Sequence, residues 1–207
     1  GNFVVQALLA TAPSLVAVQR MQAELAPHLS ALLSTRAGVA WRLFDACARH
    51  NCSAAFLLSS LLAHSAQSPR ETSKSAALSA LNERDARTKN TCESSGSAAG
   101  SNASDDGSAL ARLLLRCGTR ESGSGCELDV GVMGSRIVQA VLALSRNENV
   151  PMLHSLSALP PAALLFLARH PSGSRALEAA CSARGDAASS ARLPIIKLLC
   201  EQAARLA

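Results

Sequence analysis

The segment Gly134-Ser135-Arg136-Ile137-Val138-Gln139 decides the reading of this chain. It returns as Gly173-Ser174-Arg175-Ala176-Leu177-Glu178 and as Gly1-Asn2-Phe3-Val4-Val5-Gln6. Each copy holds a glycine, a short polar residue, a flat side chain, two apolar residues, and then an amide or a carboxylate. On a helix, positions i, i+1 and i+4 lie on one face. That face carries a polar–planar–polar trio in all three copies, while residues such as Ile137 and Val138 turn towards a core. A degenerate copy, Gly38-Val39-Ala40-Trp41-Arg42-Leu43, starts 37 residues after the first, and the last two copies are 39 apart. Gly38 and Gly134 are separated by 96 positions, which fall to roughly one unit of about 40 when two low-complexity stretches are removed. A period in the high thirties belongs to a helical repeat.

Composition agrees. The 207 residues are 48% hydrophobic but only 2% aromatic, with no Tyr, one Trp and four Phe. Ala and Leu dominate, and both favour helices. A β-sandwich would draw on Val, Ile, Thr and aromatic residues instead. Short helices are expected at 15–26, 28–34, 39–49, 53–64, 110–117, 134–145, 152–158, 161–169, 172–183 and 193–206. Pro27 separates the first two, because proline removes a helix hydrogen bond. Pro151, Pro161 and Pro171 fall where a helix starts, their favoured place. Many short helices in series predict an all-α solenoid.

Two stretches interrupt the pattern. Between Cys92 and Ser108, Ser and Gly fill nine of 17 positions. Such a segment buries too little to offset its chain entropy. Residues 65–131 are therefore read as a low-complexity insertion, disordered over about 66–108 apart from a short helix near Lys74 to Arg87. A second small insertion is expected at Thr119 to Val130. One repeat helix, at about 109–117, lies between the two. Repeats fill 1–64 and 132–207. The opening Gly1-Asn2-Phe3 reads as a cut inside a helix, so the chain is expected to come from a longer array.

The net charge is +5. Residues 65–131 hold 8 basic and 9 acidic residues, whereas the other 140 hold 12 basic and 6 acidic. Eleven of those twelve bases are Arg, a distribution that suits a polyanion partner. The trio face narrows the choice. Polar groups beside a flat platform suit one unpaired base, whose Watson–Crick edge they bond and whose face the platform stacks upon. Asn2, Phe3 and Gln6 form one such trio. Ser135, Arg136 and Gln139 form the second, and Ser174, Arg175 and Glu178 the third. Val39, Ala40 and Leu43 cannot read a base edge, so the degenerate copy is expected only to space its neighbours.

Other chemistries find no footing. There is no G-x-S-x-G elbow, P-loop or H-E-x-x-H motif, and the five His are dispersed. His170, before Pro171, reads as a helix-end or loop residue rather than a base. The seven Cys show no C-x-x-C pair, and Cys47, His50 and Cys52 have no second ligand pair at zinc spacing. Buried structural thiols are expected. No apolar run reaches the length of a membrane helix. No catalysis, metal, cofactor, small-molecule substrate or membrane partner is expected.

The trios, their glycines and the period resemble the Pumilio, or PUF, repeat family over roughly 140 residues. Segment 170–179 is similar to the late repeats of that family's nucleolar protein nine branch. The resemblance implies a curved α-solenoid of three-helix repeats whose second helices face single-stranded RNA. It implies uracil at Asn2/Gln6, adenine at Ser135/Gln139 and guanine at Ser174/Glu178, with Phe3, Arg136 and Arg175 stacking. RNA running antiparallel to the repeats then reads 5′-G-A-N-U-3′. The branch implies precursor ribosomal RNA, small-subunit assembly, pre-ribosomal protein neighbours and the nucleolus. A cytoplasmic Pumilio regulator of messenger RNA is the alternative. A HEAT-like protein-binding scaffold is the alternative of another class, which the recurrent trio counts against.

Overall fold

The computed structural model describes residues 2–67, 106–117, 128–145 and 147–204. The helix expected near Lys74 to Arg87 lies outside them, as does most of each stretch read as an insertion. The described residues form an all-α repeat solenoid without strands. The helices are α1 (Asn2–Ala10), α2 (Leu15–Leu25), α3 (Leu29–Thr35), α4 (Ala37–Arg49), α5 (Ala55–Gln67) and α6 (Ala109–Leu115). They continue with α7 (Val132–Leu142), α8 (Val150–Ser157), α9 (Pro161–Arg169), α10 (Pro171–Ser182) and α11 (Asp186–Ala204).

Local chemistry sets most of the ends. Ser14 caps α2 by accepting from the Ala17 N–H. Pro27 sits in a 3-10 turn, Ala26–His28, that joins α2 to α3. Asn51, with φ of 49°, ends α4 in the left-handed conformation that asparagine tolerates, and the Cys52 N–H returns to the Cys47 carbonyl. Pro161 opens α9 and Pro171 opens α10. His170 is a helix-end residue, as expected: its Nδ1 accepts from the N–H groups of Ser172 and Gly173, both at 3.2 Å.

The last helix differs from expectation. It starts at Asp186 rather than Leu193, and Pro194 lies inside it. Proline at 194 leaves the Ser190 carbonyl without its helical donor. Ser190 is exposed, so water can supply the bond. Arg192 also ties the helix down by donating to the carbonyls of Cys181 and Ala183, both at 2.9 Å.

The helices form two layers. In one, α1 packs against α4, α4 against α7, and α7 against α10. In the other, α3 packs on α5, α5 on α6, α6 on α8, and α8 on α11. Helix α6 also packs on α7, so the segment between the two low-complexity stretches belongs to the folded body. Its Leu110, Ala111, Leu114 and Leu115 are buried. The interior is almost all aliphatic, with Phe44 the largest fully buried side chain. Polar ties are few and specific: the buried Ser155 hydroxyl accepts from the Ala111 N–H at 2.9 Å and links α8 to α6. No single described helix is long and apolar enough to cross a membrane.

Candidate nucleic-acid interface

The row α1–α4–α7–α10 brings the three sequence trios onto consecutive, touching helices, with α4 between the first and second. Glycine makes the close approach possible. A Cβ on Gly134 would stand 2.4 and 2.3 Å from the carbonyl oxygens of Leu114 and Leu115. One on Gly173 would stand 2.7 Å from the Leu167 carbonyl oxygen. The repeated glycine is therefore a contact requirement: it lets α7 and α10 press onto the backbone of the preceding helix.

On α1, Phe3 is 82% exposed, while Asn2 and Gln6 are half-buried. Gln6 donates from Nε2 to Asn2 Oδ1 one turn back. On α10, Ser174 is half-buried and both Arg175 and Glu178 are exposed. Their charges meet at 3.8 Å, too solvated a pair to hold either side chain firmly. On α7, Arg136 is exposed and Gln139 half-buried. Gln139 Nε2 donates to Ser135 Oγ at 3.0 Å and to the Ser135 carbonyl at 3.2 Å. Ser135 itself is only 2% exposed, and its hydroxyl donates to the Ser172 carbonyl at 2.5 Å. In this arrangement Ser135 is bonded across the α7–α10 seam, and Gln139 is the reachable polar group of that trio.

Helix α4 corrects the register of the degenerate copy. Val39, Ala40 and Leu43 are buried, at 3%, 0% and 0% exposure, so none of them lies on the shared face. Trp41, Arg42 and Asp45 are half-buried instead. Ala40, Leu43 and Phe44 take the buried places that Gly134, Ile137 and Val138 take on α7. The trio on α4 is therefore Trp41, Arg42 and Asp45, two residues further on than the position of Gly38 suggests. With Ala40 in the glycine place, the spacing from Gly1 becomes 39, the same as from Gly134 to Gly173. Gly38 has another partner, because its Cβ position lies 3.0 to 3.2 Å from the Gln6 side-chain amide. Trp41 and Asp45 are thus residues that sequence reasoning missed. The signal was present in the alternation Trp-Arg-apolar-apolar-Asp, masked by an alanine standing where the other copies have glycine.

The α4 trio is closely tied. The guanidinium carbon of Arg42 lies 4.0 Å from the Trp41 ring centroid, and that of Arg136, from α7, lies 4.7 Å from it. Asp45 holds Arg42 at 3.7 Å and Arg49 at 3.3 Å. Arg49 then donates to the Leu9 carbonyl on α1 at 2.8 Å. By contrast, Arg136 meets no carboxylate among the described residues. The surface offers flat cationic or aromatic groups on four successive helices and reachable amide or carboxylate groups on three. That is chemistry for stacking and edge-reading of unpaired bases.

The thiols play no visible part in it. Burial pushes Cys47 up to about 12, helped by the neighbouring Cys52, and pushes Cys117 up to about 11. Among the described residues, no group of three or more His, Cys, Asp or Glu could hold a metal ion. A cavity of about 640 Å³ opens beside Gln139, between the C-terminal ends of α7 and α10, and is lined by Asn51, Ser145, Ala179 and Arg184.

Compared with known proteins, the chain matches over residues 1–207 a family model described as a NOP9-like PUF repeat domain. No curated protein and no solved structure matches it at a significant level.

Proposed function

Because the chain belongs to the NOP9-like PUF repeat family, a family of RNA-binding helical repeats, we propose that the row α1–α4–α7–α10 holds single-stranded RNA. In this reading a uracil meets Asn2 and Gln6 on α1, with Phe3 stacking on it. An adenine meets Gln139 on α7, which Ser135 orients, and Arg136 stacks on it. A guanine meets Ser174 and Glu178 on α10, beside Arg175. The RNA runs 5′-G-A-N-U-3′ against the chain direction. The observation that carries the proposal is that three trios, recognised by local pattern alone, lie in one row of packed helices with their flat groups exposed.

The RNA we infer is precursor ribosomal RNA during small-subunit assembly in the nucleolus, among pre-ribosomal proteins. The support is the NOP9-like branch of the family together with the Arg-rich balance of the folded part. The protein acts by holding RNA, not by chemistry on it. Asp45, the carboxylate nearest the row's centre, is occupied by two guanidinium groups and is not placed to move a proton.

Equilibrium binding to a fluorescent 5′-G-A-N-U-3′ oligonucleotide tests the reading, with its duplex as competitor. Single strands should win. The logarithm of affinity should also fall linearly with the logarithm of salt, with a slope of roughly −0.7 per phosphate contacted. A flat salt response, or equal affinity for duplex, would overturn it. Location is tested separately: the intact protein should colocalise with nucleolar markers, and diffuse cytoplasmic staining would favour messenger RNA instead.

A further inference from the structure

We propose that Trp41 is a built-in substitute for a base. Its indole fills the slot between the stackers of α4 and α7, so the nucleotide crossing α4 turns its base out to solvent. The inference rests on the RNA reading above and says what happens at the one position that reading leaves unassigned.

Three observations carry it. The first is the place of the indole. In the corrected register, Arg42 on α4 and Arg136 on α7 are the flat groups of neighbouring repeats, and both lie over the single ring of Trp41. Packed helix axes are about 8–10 Å apart. Stacked aromatic partners have centroids about 4.5–7 Å apart. Stackers on adjacent helices therefore leave room for about one flat ring between them. At the α4–α7 seam that ring is already supplied by the protein.

The second is how firmly it is held. Trp41 is half-buried and packs against the aliphatic core. Two cations over its face add attraction from the ring quadrupole. Arg42 is in turn restrained by Asp45, Asp45 by Arg49, and Arg49 by the Leu9 carbonyl on α1. Displacing the indole would disturb a chain of contacts reaching across two helices.

The third is the lack of anything to read a base there. Trp41 stands where the other helices carry Asn2, Ser135 or Ser174, and it offers a Watson–Crick edge no acceptor and only a single N–H. The carboxylate of Asp45, which stands where Gln139 and Glu178 stand, is taken up by two guanidinium groups. A base over α4 would have neither a slot nor a free carboxylate to meet, whereas Arg136 on α7 is exposed.

The experiment uses the whole chain and 5′-G-A-N-U-3′ RNA in which N is either a base or an abasic nucleotide. For the wild-type protein, removing the base should change the dissociation constant by less than about twofold, far below what one stacked base contributes. Trp41 is the only Trp in the chain, so its fluorescence reports directly on its surroundings. RNA binding should leave that emission nearly unchanged. In Trp41→Ala the slot opens, and the base-containing RNA should outbind its abasic counterpart by about fivefold or more, the lower end of one base's stacking. An abasic penalty of about fivefold or more in the wild type, or strong quenching of the emission by RNA, would show that Trp41 is a platform for a base, and would overturn the proposal while leaving the RNA reading intact. Absence of any binding of this RNA by the wild type would overturn the RNA reading and this inference with it. The two wild-type measurements decide the matter even if Trp41→Ala does not fold.

Discussion

Gln139 donates to the hydroxyl of Ser135 one turn behind it, and that hydroxyl donates in turn to the Ser172 carbonyl at the start of the next repeat. A residue expected to read RNA is thus also a rivet between repeats. Ser135→Ala should destabilise the fold by about 1–2 kcal/mol, because the hydrogen bond across the seam is lost and Gln139 loses its hydroxyl acceptor. It should also loosen Gln139 and weaken the preference for adenine at α7. Urea unfolding and base-substituted oligonucleotides measure the two effects separately.

Glu178 on α10 has no such structural duty. It is exposed and meets only the equally exposed Arg175 at 3.8 Å. Glu178→Gln should therefore leave stability within about 0.5 kcal/mol of wild type. By analogy with bidentate base contacts, it should move the preferred base at that position from guanine towards adenine by about 1–3 kcal/mol of discrimination. Arg175→Ala should instead weaken every base there, since stacking is sequence-tolerant. An RNA selection that returned the same base for Glu178→Gln as for wild type would count against the α10 assignment.

Glu148, in the turn before α8, accepts from the Ser53 hydroxyl at 2.6 Å and from the Ala54 N–H at 2.9 Å. It thus caps α5 from 94 residues away and places a carboxylate at that helix's positive end. Glu148→Ala should cost about 1–2 kcal/mol, the scale of a lost cap. Denaturant midpoints should fall with an unchanged slope.

The two glycines Gly134 and Gly38 should respond differently to alanine. At Gly134 the new methyl would meet backbone carbonyls at 2.3 and 2.4 Å, so α6 and α7 must part, at about 3 kcal/mol or more. At Gly38 the obstacle is the Gln6 side chain at 3.0 to 3.2 Å, which can move. Gly38→Ala should cost less than about 1 kcal/mol in stability but disturb the Asn2–Gln6 pair, weakening the preference for uracil. Thermal melts and oligonucleotide binding distinguish the two cases.

The thiols predict a pH dependence. In the unfolded chain a Cys releases its proton around pH 9.0, whereas folded Cys47 keeps it up to about 12 and folded Cys117 up to about 11, mainly through burial. Below pH 9 both states hold these protons and stability is unaffected. Above it, the unfolded state releases protons that the folded state retains, so stability falls as pH rises towards about 12. Alkylation at pH 8 followed by peptide mapping should find the exposed Cys200 modified well before Cys47 or Cys117.

The sequence by itself determined the helical repeat, its period and three of the four trios. Those features depend on local periodicity, since the i, i+1, i+4 pattern in Ser135, Arg136 and Gln139 needs no knowledge of neighbours. What only the tertiary structure decided is the register of α4 and the contacts that cross repeats. Moving the start from Gly38 to Ala40 slides the pattern by two residues and turns its face by about 160°, and on paper Gly38 offers the start because alanine stands where the other copies have glycine. Packing separates them: Leu43 enters the core, and Trp41 comes under the guanidinium of Arg136. The cap from Glu148 to Ser53 and the bond from Ser135 to Ser172 likewise join residues far apart in the chain, and they form only when the helices they link are already side by side.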